Sequence, residues 1–123
     1  MSYVLCVSGS RDFDNYELME RELLSVIAER GRPMRVAHGG APGADSLASR
    51  FAYEQKLDLD ILGAQWGTNG SAGGPMRNVA MADRLYVGDV LVAFPTRQSR
   101  GTRHMVSVVN AQGRADIKVV EEV

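Results

Sequence analysis

Cysteine is almost absent from this chain, and long apolar runs are missing altogether. Its 123 residues include a single cysteine, Cys6, which excludes an internal disulfide and fits a reducing compartment. No apolar run approaches the roughly 20 residues that a membrane-spanning helix needs. The first ten residues, MSYVLCVSGS, lack the basic leader and the cleavage pattern of a signal peptide. We therefore expect a cytoplasmic protein without a membrane partner.

An excess of positive charge is also missing. The chain has 14 Lys and Arg against 15 Asp and Glu, a formal net charge of −1, whereas proteins that hold nucleic acid generally carry a basic face. We therefore do not expect nucleic acid as the main partner. Twelve of the basic residues are arginine and two are lysine. A GC-rich genome would produce that ratio, so the positions of the arginines are more informative than their number.

The order of the apolar segments predicts the fold. With 45% apolar and 24% charged residues, the chain is typical of a globular protein, and its length fits a single domain, residues 1–123. Strands are predicted at 3–7, 34–38, 57–64, 89–94 and 116–120, and helices between them at 14–30, 43–56, 75–86 and 101–112. This alternation predicts an α/β fold: one three-layer Rossmann-like domain with an open, mainly parallel five-stranded sheet and helices on both faces.

The first helix has the clearest start and stop signals. Asp14 and Glu17 have the spacing of a capping box, and Gly31 follows the last helical turn. The predicted buried stripe between these signals consists of Tyr16, Met19, Leu23, Leu24, Ile27 and Ala28.

Glycine, arginine and hydroxyl residues collect in the loops that follow the strands. These loops read SGSRDFD (8–14), HGGAPGAD (38–45), QWGTNGSAGGPMRN (65–78) and PTRQSRGT (95–102). Because the carboxyl ends of parallel strands share one edge of the sheet, the four loops meet there, where open α/β sheets bind ligands. The loops at the opposite edge, such as GRPM (31–34), are short and plain.

The residue types in these loops favour an anionic ligand. Glycine lets the backbone approach a ligand closely, and amides at a helix N-terminus bind phosphate. Arg forks match phosphate oxygens, and five arginines lie in or beside the loops. These are Arg11, Arg77, Arg97, Arg100 and Arg103. We therefore predict a phosphorylated, nucleotide-like ligand.

Several polar residues also have structural explanations. Asp45 lies where it could cap its helix, Trp66 could pack in the core or stack on a base, and His38 could be a structural or a catalytic histidine. His104 is predicted to be a surface residue on its helix, and Cys6 an inert core residue.

Five motifs in order resemble one family. VSGSRDF, HGGAPGADSLA, a tryptophan, AGGPMRNVAM and VAFPTRQSRGT are similar to the small proteins of the SLOG superfamily, over about 4–120. These are Rossmann-like relatives of the "lonely guy" phosphoribohydrolases and of DprA-type DNA-processing proteins, found in bacteria and phages. The resemblance implies binding of nucleotides or nucleotide-derived molecules and a homodimer.

The match to the phosphoribohydrolases is partial. Arg77 lies where the resemblance places the catalytic arginine. The glycine-rich motif corresponds to residues 95–105, but the two glycines after its proline are replaced by Thr96 and Arg97 in a longer loop, and its glutamate falls at Met105. Cleavage of an N-glycosidic bond needs a carboxylate to stabilise the oxocarbenium-like transition state, and a thioether cannot do this. Asp12 and Asp45 lie at the same edge of the sheet and could take that role.

Three functions stay open. The first is a sensor or sequestering module for a nucleotide or a nucleotide-derived ligand. The second is an N-glycosidic hydrolase of nucleoside monophosphates, with Arg77, Asp45 and Asp12 as candidate catalytic residues. The third is binding of single-stranded DNA, as in DprA. The predicted ligand-binding residues are Gly9, Ser10, Arg11, Gly39, Gly40, Gly43, Ala44, Asp45, Trp66, Arg77, Asn78, Pro95, Arg100, Gly101 and Thr102.

No cofactor is predicted. One cysteine and two histidines that are distant in the sequence cannot form a zinc site unaided. Magnesium could still accompany a phosphate ligand.

Overall fold

A five-stranded parallel sheet forms the centre of the computed structural model, which describes residues 2–64, 70, 73–97 and 99–122. Strands and α-helices alternate along the chain, as predicted: β1 (Val4–Gly9), α1 (Tyr16–Arg30), β2 (Arg35–His38), α2 (Ala44–Glu54), β3 (Asp58–Ile61), α3 (Gly73–Asp83), β4 (Val90–Phe94), α4 (Arg100–Gln112) and β5 (Asp116–Val119). The strand order is β3-β2-β1-β4-β5, and every neighbouring pair is parallel. The predicted α/β Rossmann-like fold is confirmed.

Helices cover both faces of the sheet, which explains why the central strands are apolar throughout. In β1, Leu5 and Val7 point into the cluster that α1 and α2 complete, while Val4 and Cys6 point into the cluster of α3 and α4. A strand that is covered on both sides has no solvent-facing position, so its apolar residues need not alternate. Cys6 is fully buried, and burial raises the pKa of its thiol. The prediction of an inert core cysteine agrees with this environment.

Helix α1 differs from its prediction in its cap and in its buried stripe. The N-cap is Asn15 and not Asp14, because the Asn15 side chain accepts a hydrogen bond from the Leu18 amide at 3.1 Å. The predicted Leu24 is 39% exposed, whereas Val26 is buried. The helix is rotated so that Met19, Leu23 and Val26, spaced four and three residues apart, face the sheet. Gly31 ends the helix as predicted.

Helix α3 begins and ends earlier than predicted. It starts at Gly73, so Pro75 lies within the first turn, where backbone amides have no acceptor inside the helix. Beyond Asp83 the backbone hydrogen bonds span three residues instead of four, as in a 3₁₀-helix. They run from the Arg84 amide to the Met81 carbonyl and from the Leu85 amide to the Ala82 carbonyl. No helix in the described ranges is long and apolar enough to cross a membrane.

The start of α2 packs backbone against backbone on the loop after β1. Gly43 has a φ of +75°, and a Cβ atom there would lie 2.4 Å from the carbonyl oxygens of both Ser10 and Arg11. The next amide, of Ala44, donates to the Ser10 carbonyl at 3.1 Å. Only glycine combines that left-handed conformation with such a close approach.

We expect Gly43→Ala to destabilise the protein by about 3 kcal/mol, because the new methyl group would meet two backbone carbonyls in a strained conformation. Urea denaturation measures this change as a lower free energy of unfolding. Gly101→Ala is the matched control, since a Cβ atom at Gly101 meets nothing within 4 Å. Equal stability of the two variants would contradict the packing described for Gly43.

Candidate functional site

The strand order reverses between β1 and β4, and a cleft opens at the carboxyl ends of these two strands. Ligands bind at this point in open α/β sheets. The cleft has a volume of about 1050 Å³ and is lined by five arginines, two aspartates and the first turns of α3 and α4. The arginines are Arg11, Arg77, Arg97, Arg100 and Arg103.

Most of the predicted ligand-binding residues lie together in this cleft. Those that line it are Gly9, Ser10, Arg11, Asp45, Arg77, Asn78, Arg100, Gly101 and Thr102, together with the candidate catalytic Asp12. Gly39, Gly40, Gly43, Ala44 and Pro95 are not among the lining residues. Trp66 lies outside the described residues.

Three amides of the HGGAPGAD loop donate hydrogen bonds within the protein. The Gly39 and Ala41 amides both donate to Asp45 Oδ2, each at 3.2 Å. The Gly40 amide donates to His38 Nδ1 at 2.9 Å. These three amides are therefore bonded within the protein and not open to a phosphate. The Asp45 carboxylate occupies the position that an external anion was expected to take.

Asp45 is a buried carboxylate that faces the cleft. Its side chain holds the glycine loop rather than capping its own helix, and the residue is 4% exposed. Its Oδ1 atom is buried without a hydrogen-bond partner among the described residues. Burial raises the pKa of Asp45 to about 6, against the opposing effects of the two backbone amides and of Arg77.

His38 has the structural role that was one of its two predicted alternatives. Because Nδ1 accepts the Gly40 amide, the ring proton is on Nε2, which donates to Ser49 Oγ at 2.6 Å. Burial, with a smaller contribution from Arg77, lowers the pKa of His38 to about 4. Both ring nitrogens form hydrogen bonds within the protein, so this histidine supports the loop. It is not among the residues that line the cleft.

Glycine at position 39 makes room for an arginine. Arg77 Nη1 donates to the Gly39 carbonyl at 2.7 Å, and Arg77 Nε donates to Asn78 Oδ1 at 2.9 Å. A Cβ atom on Gly39 would lie 1.8 Å from Nη1. The loop is therefore poor in side chains partly because the Arg77 guanidinium passes against it.

A hydroxyl cluster joins the loops after β1 and β4. Ser10 Oγ and Thr96 Oγ1 both donate to Asp12 Oδ1, the latter at 2.7 Å. These two hydrogen bonds, with Ser10 contributing most, hold the pKa of Asp12 below its usual value. Ser99 Oγ accepts the Thr96 amide at 2.6 Å and so closes the β4 loop. In the sequence, Thr96 stands out only as a departure from a glycine motif, and nothing there predicts that its hydroxyl binds a carboxylate across the cleft.

The first turn of α4 supplies a residue that sequence reasoning placed on the surface. His104 is half-buried and lines the cleft, whereas the neighbouring Met105 is fully buried in the core. The helical spacing from Arg100 to His104 is the signal that could have revealed this shared face. The Met105 side chain packs in the core and is not part of the cleft lining.

Among the described residues, two carboxylates and one histidine line the cleft, and these three side chains do not form a metal site. Within residues 2–64, 70, 73–97 and 99–122, no group of three or more His, Cys, Asp or Glu side chains could hold a metal ion.

The parallel sheet and the cleft at its strand-order reversal define a Rossmann-like α/β protein. The family model described as the YspA, cpYpsA-related SLOG family matches residues 3–68, more than half of the chain. The Gene 61 protein of Mycobacterium phage D29 is 30% identical over 112 residues, which cover 87% of this chain and 88% of the phage protein. The chain therefore belongs to the YspA, cpYpsA-related SLOG family. No solved structure matches it.

The raised pKa of Asp45 predicts a component of stability that falls as the pH rises. The unfolded chain releases this proton near pH 3.8 and the native protein near pH 6, so the native state binds more protons between these values. The free energy of unfolding should therefore lose up to roughly 3 kcal/mol between about pH 4 and pH 6.

Urea denaturation across this pH range measures the effect. Asp45→Asn should lack this component, so its stability relative to the wild type should increase with pH. Asp58→Asn removes one exposed carboxylate and controls for the change in net charge. Parallel pH profiles for the wild type and Asp45→Asn would contradict the burial of an ionisable Asp45.

Proposed function

We propose that the protein binds a nucleotide or a nucleotide-derived phosphorylated ligand in the cleft between the β1 and β4 loops, as a sensor or sequestering module. The observation that carries the proposal is the convergence of five arginines and two helix N-termini on one cleft of about 1050 Å³. Pockets for small ligands have volumes of this order. Membership in the SLOG family supports a ligand of this class.

The local charge favours a phosphorylated ligand over a neutral one. Five guanidinium groups face two carboxylates in a chain whose overall charge is −1, so the positive charge is concentrated at this edge. Arg97, Arg100 and Arg103 are exposed around the mouth of the cleft and are suited to bidentate contacts with phosphate oxygens. The N-terminus of α4 adds a partial positive charge beside them.

Calorimetric titration with nucleoside mono- and diphosphates tests this proposal. We expect saturable binding that weakens by about tenfold or more in Arg100→Ala, because a charge-assisted hydrogen bond to phosphate is lost. Arg21→Ala is the matched control, since it removes the same charge from the exposed surface of α1. Arg77→Ala should also weaken binding, with melting temperatures showing whether its loop contacts have been disturbed.

Two outcomes would contradict the proposal. One is an equal effect of Arg100→Ala and Arg21→Ala on affinity, which would place the ligand elsewhere. The other is tighter and steeply salt-dependent binding of a single-stranded oligonucleotide, which would favour the DNA-binding alternative.

One observation favours hydrolysis of an N-glycosidic bond as a second candidate function. Asp12 and Asp45 line the same cleft, and their environments shift their pKa values in opposite directions. Hydroxyl donors favour ionised Asp12, while burial favours protonated Asp45. Such a pair can divide the work of a general acid and of an ionised stabilising group.

Incubation with nucleoside monophosphates, followed by chromatography for free base, tests the second candidate. Hydrolysis predicts base release that falls at least a hundredfold in Asp45→Asn and in Asp12→Asn, since acid–base catalysis contributes about that much or more. Glu17→Gln, on the exposed side of α1, should retain full release. If the wild type binds nucleoside monophosphates saturably but releases no free base, hydrolysis is overturned and the proposed binding function stands.

A further inference from the structure

A buried amide joins α3 to α4 at the cleft. Asn78 is 3% exposed, and its side chain makes three polar contacts. Oδ1 accepts from Arg77 Nε at 2.9 Å, and Nδ2 donates to the Gly101 carbonyl at 3.1 Å. Nδ2 also lies 3.1 Å from His104 Nδ1. All four residues line the cleft.

The partners of Asn78 determine which end of its amide faces the histidine. Arg Nε is a donor only, so it must meet Oδ1, and a backbone carbonyl is an acceptor only, so it must meet Nδ2. The amide therefore cannot flip without losing both hydrogen bonds. Nδ2 then donates to His104 Nδ1, which must be unprotonated to accept. His104 is held as the neutral tautomer with its proton on Nε2.

The proton on Nε2 is left for a ligand. His104 is half-buried in the wall of the cleft, and its Nε2 has no hydrogen-bond partner among the described residues. Arg100 and Arg103 lie on the same helical turn, where the amides of an N-terminus favour an anion.

We infer that Asn78 is a positioning residue that fixes the tautomer of His104, and that His104 donates its Nε2 proton to a phosphate oxygen of the bound ligand. This inference rests on the proposed binding function and adds a directional, uncharged donor to it. Guanidinium groups at the mouth attract any anion over a wide range of positions. A histidine ring that is fixed through Nδ1 can donate its Nε2 proton in only one direction, so it selects a ligand whose phosphate oxygen lies at that position.

Nitrogen-15 NMR of the unliganded protein at neutral pH tests the pair directly. The chain has two histidines, so His104→Gln assigns the spectrum. We expect wild-type His104 to show an unprotonated Nδ1 and a protonated Nε2. Asn78→Asp keeps an acceptor for Arg77 but replaces the donor to His104 by an acceptor, so protonation should move to Nδ1. His38 is the internal control, since its partners are Gly40 and Ser49 and its tautomer should not change.

Titration with inorganic phosphate, adenosine monophosphate and adenosine tests the contact with the ligand. Both phosphate-bearing probes should shift the Nε2 resonance of His104, and adenosine should not. His104→Asn, whose amide reaches only the Nδ1 position, should weaken binding of adenosine monophosphate by about tenfold or more. His104→Gln, whose amide reaches the Nε2 position, should retain most of the affinity.

The possible results separate this inference from the proposed function. A wild-type His104 protonated on Nδ1, or an unchanged tautomer in Asn78→Asp, overturns the role of Asn78. Normal phosphate binding by folded His104→Asn overturns the role of His104 and leaves the proposed function intact. If no phosphate compound binds the wild type, the proposed function and the ligand contact both fail, while the NMR measurement still decides whether Asn78 fixes the tautomer.

Discussion

Three segments meet at the backbone of Ser10, and the cleft exists because they do. The Ser10 amide donates to the Phe94 carbonyl at the end of β4, while its carbonyl accepts the amides of Phe13 and Ala44. The loop after β1 is thereby attached to the end of β4 on one side and to the start of α2 on the other. Gly43 permits this junction, because any side chain there would separate the two backbones. Without the junction, the loop after β1 would not be held between the end of β4 and the start of α2.

The charges of the site are divided between an inner layer and an exposed layer. In the inner layer, the buried Asp45 binds the amides of Gly39 and Ala41, and the half-buried Arg77 binds the Gly39 carbonyl, so these groups hold the loop from both sides. In the exposed layer, Arg97, Arg100 and Arg103 surround the opening. These exposed arginines are carried by the loop after β4 and by α4, not by the glycine loop. Gly39 and Gly40 support the site through internal hydrogen bonds and close packing, rather than through direct contact of their amides with a ligand.

The sequence predicts this structure most accurately where a feature depends on residues that are close together in the chain. The alternation of apolar runs predicted the five strands and four α-helices of the described residues, because apolar residues recur with different spacings in covered parallel strands and in amphipathic helices. It also predicted the edge at which Arg11, Arg77 and Arg100 meet. It was weaker at helix boundaries, as at Asn15 and Gly73, since neighbouring residues compete to cap the same turn. It could not predict that Thr96 bonds to Asp12, because these residues lie 84 positions apart in the chain.

The parallel α/β class and the edge that carries the arginines follow from the order of residues alone, since strand and helix periodicity and the direction of each crossover are properties of consecutive residues. Which polar groups bond within the protein and which face the cleft depends on the packing of distant segments. The same Asp45 could have capped a helix, and the same glycine amides could have met an anion. The strand order β3-β2-β1-β4-β5 brought distant loops within hydrogen-bond distance, and burial then made internal partners necessary for polar groups that water could no longer reach.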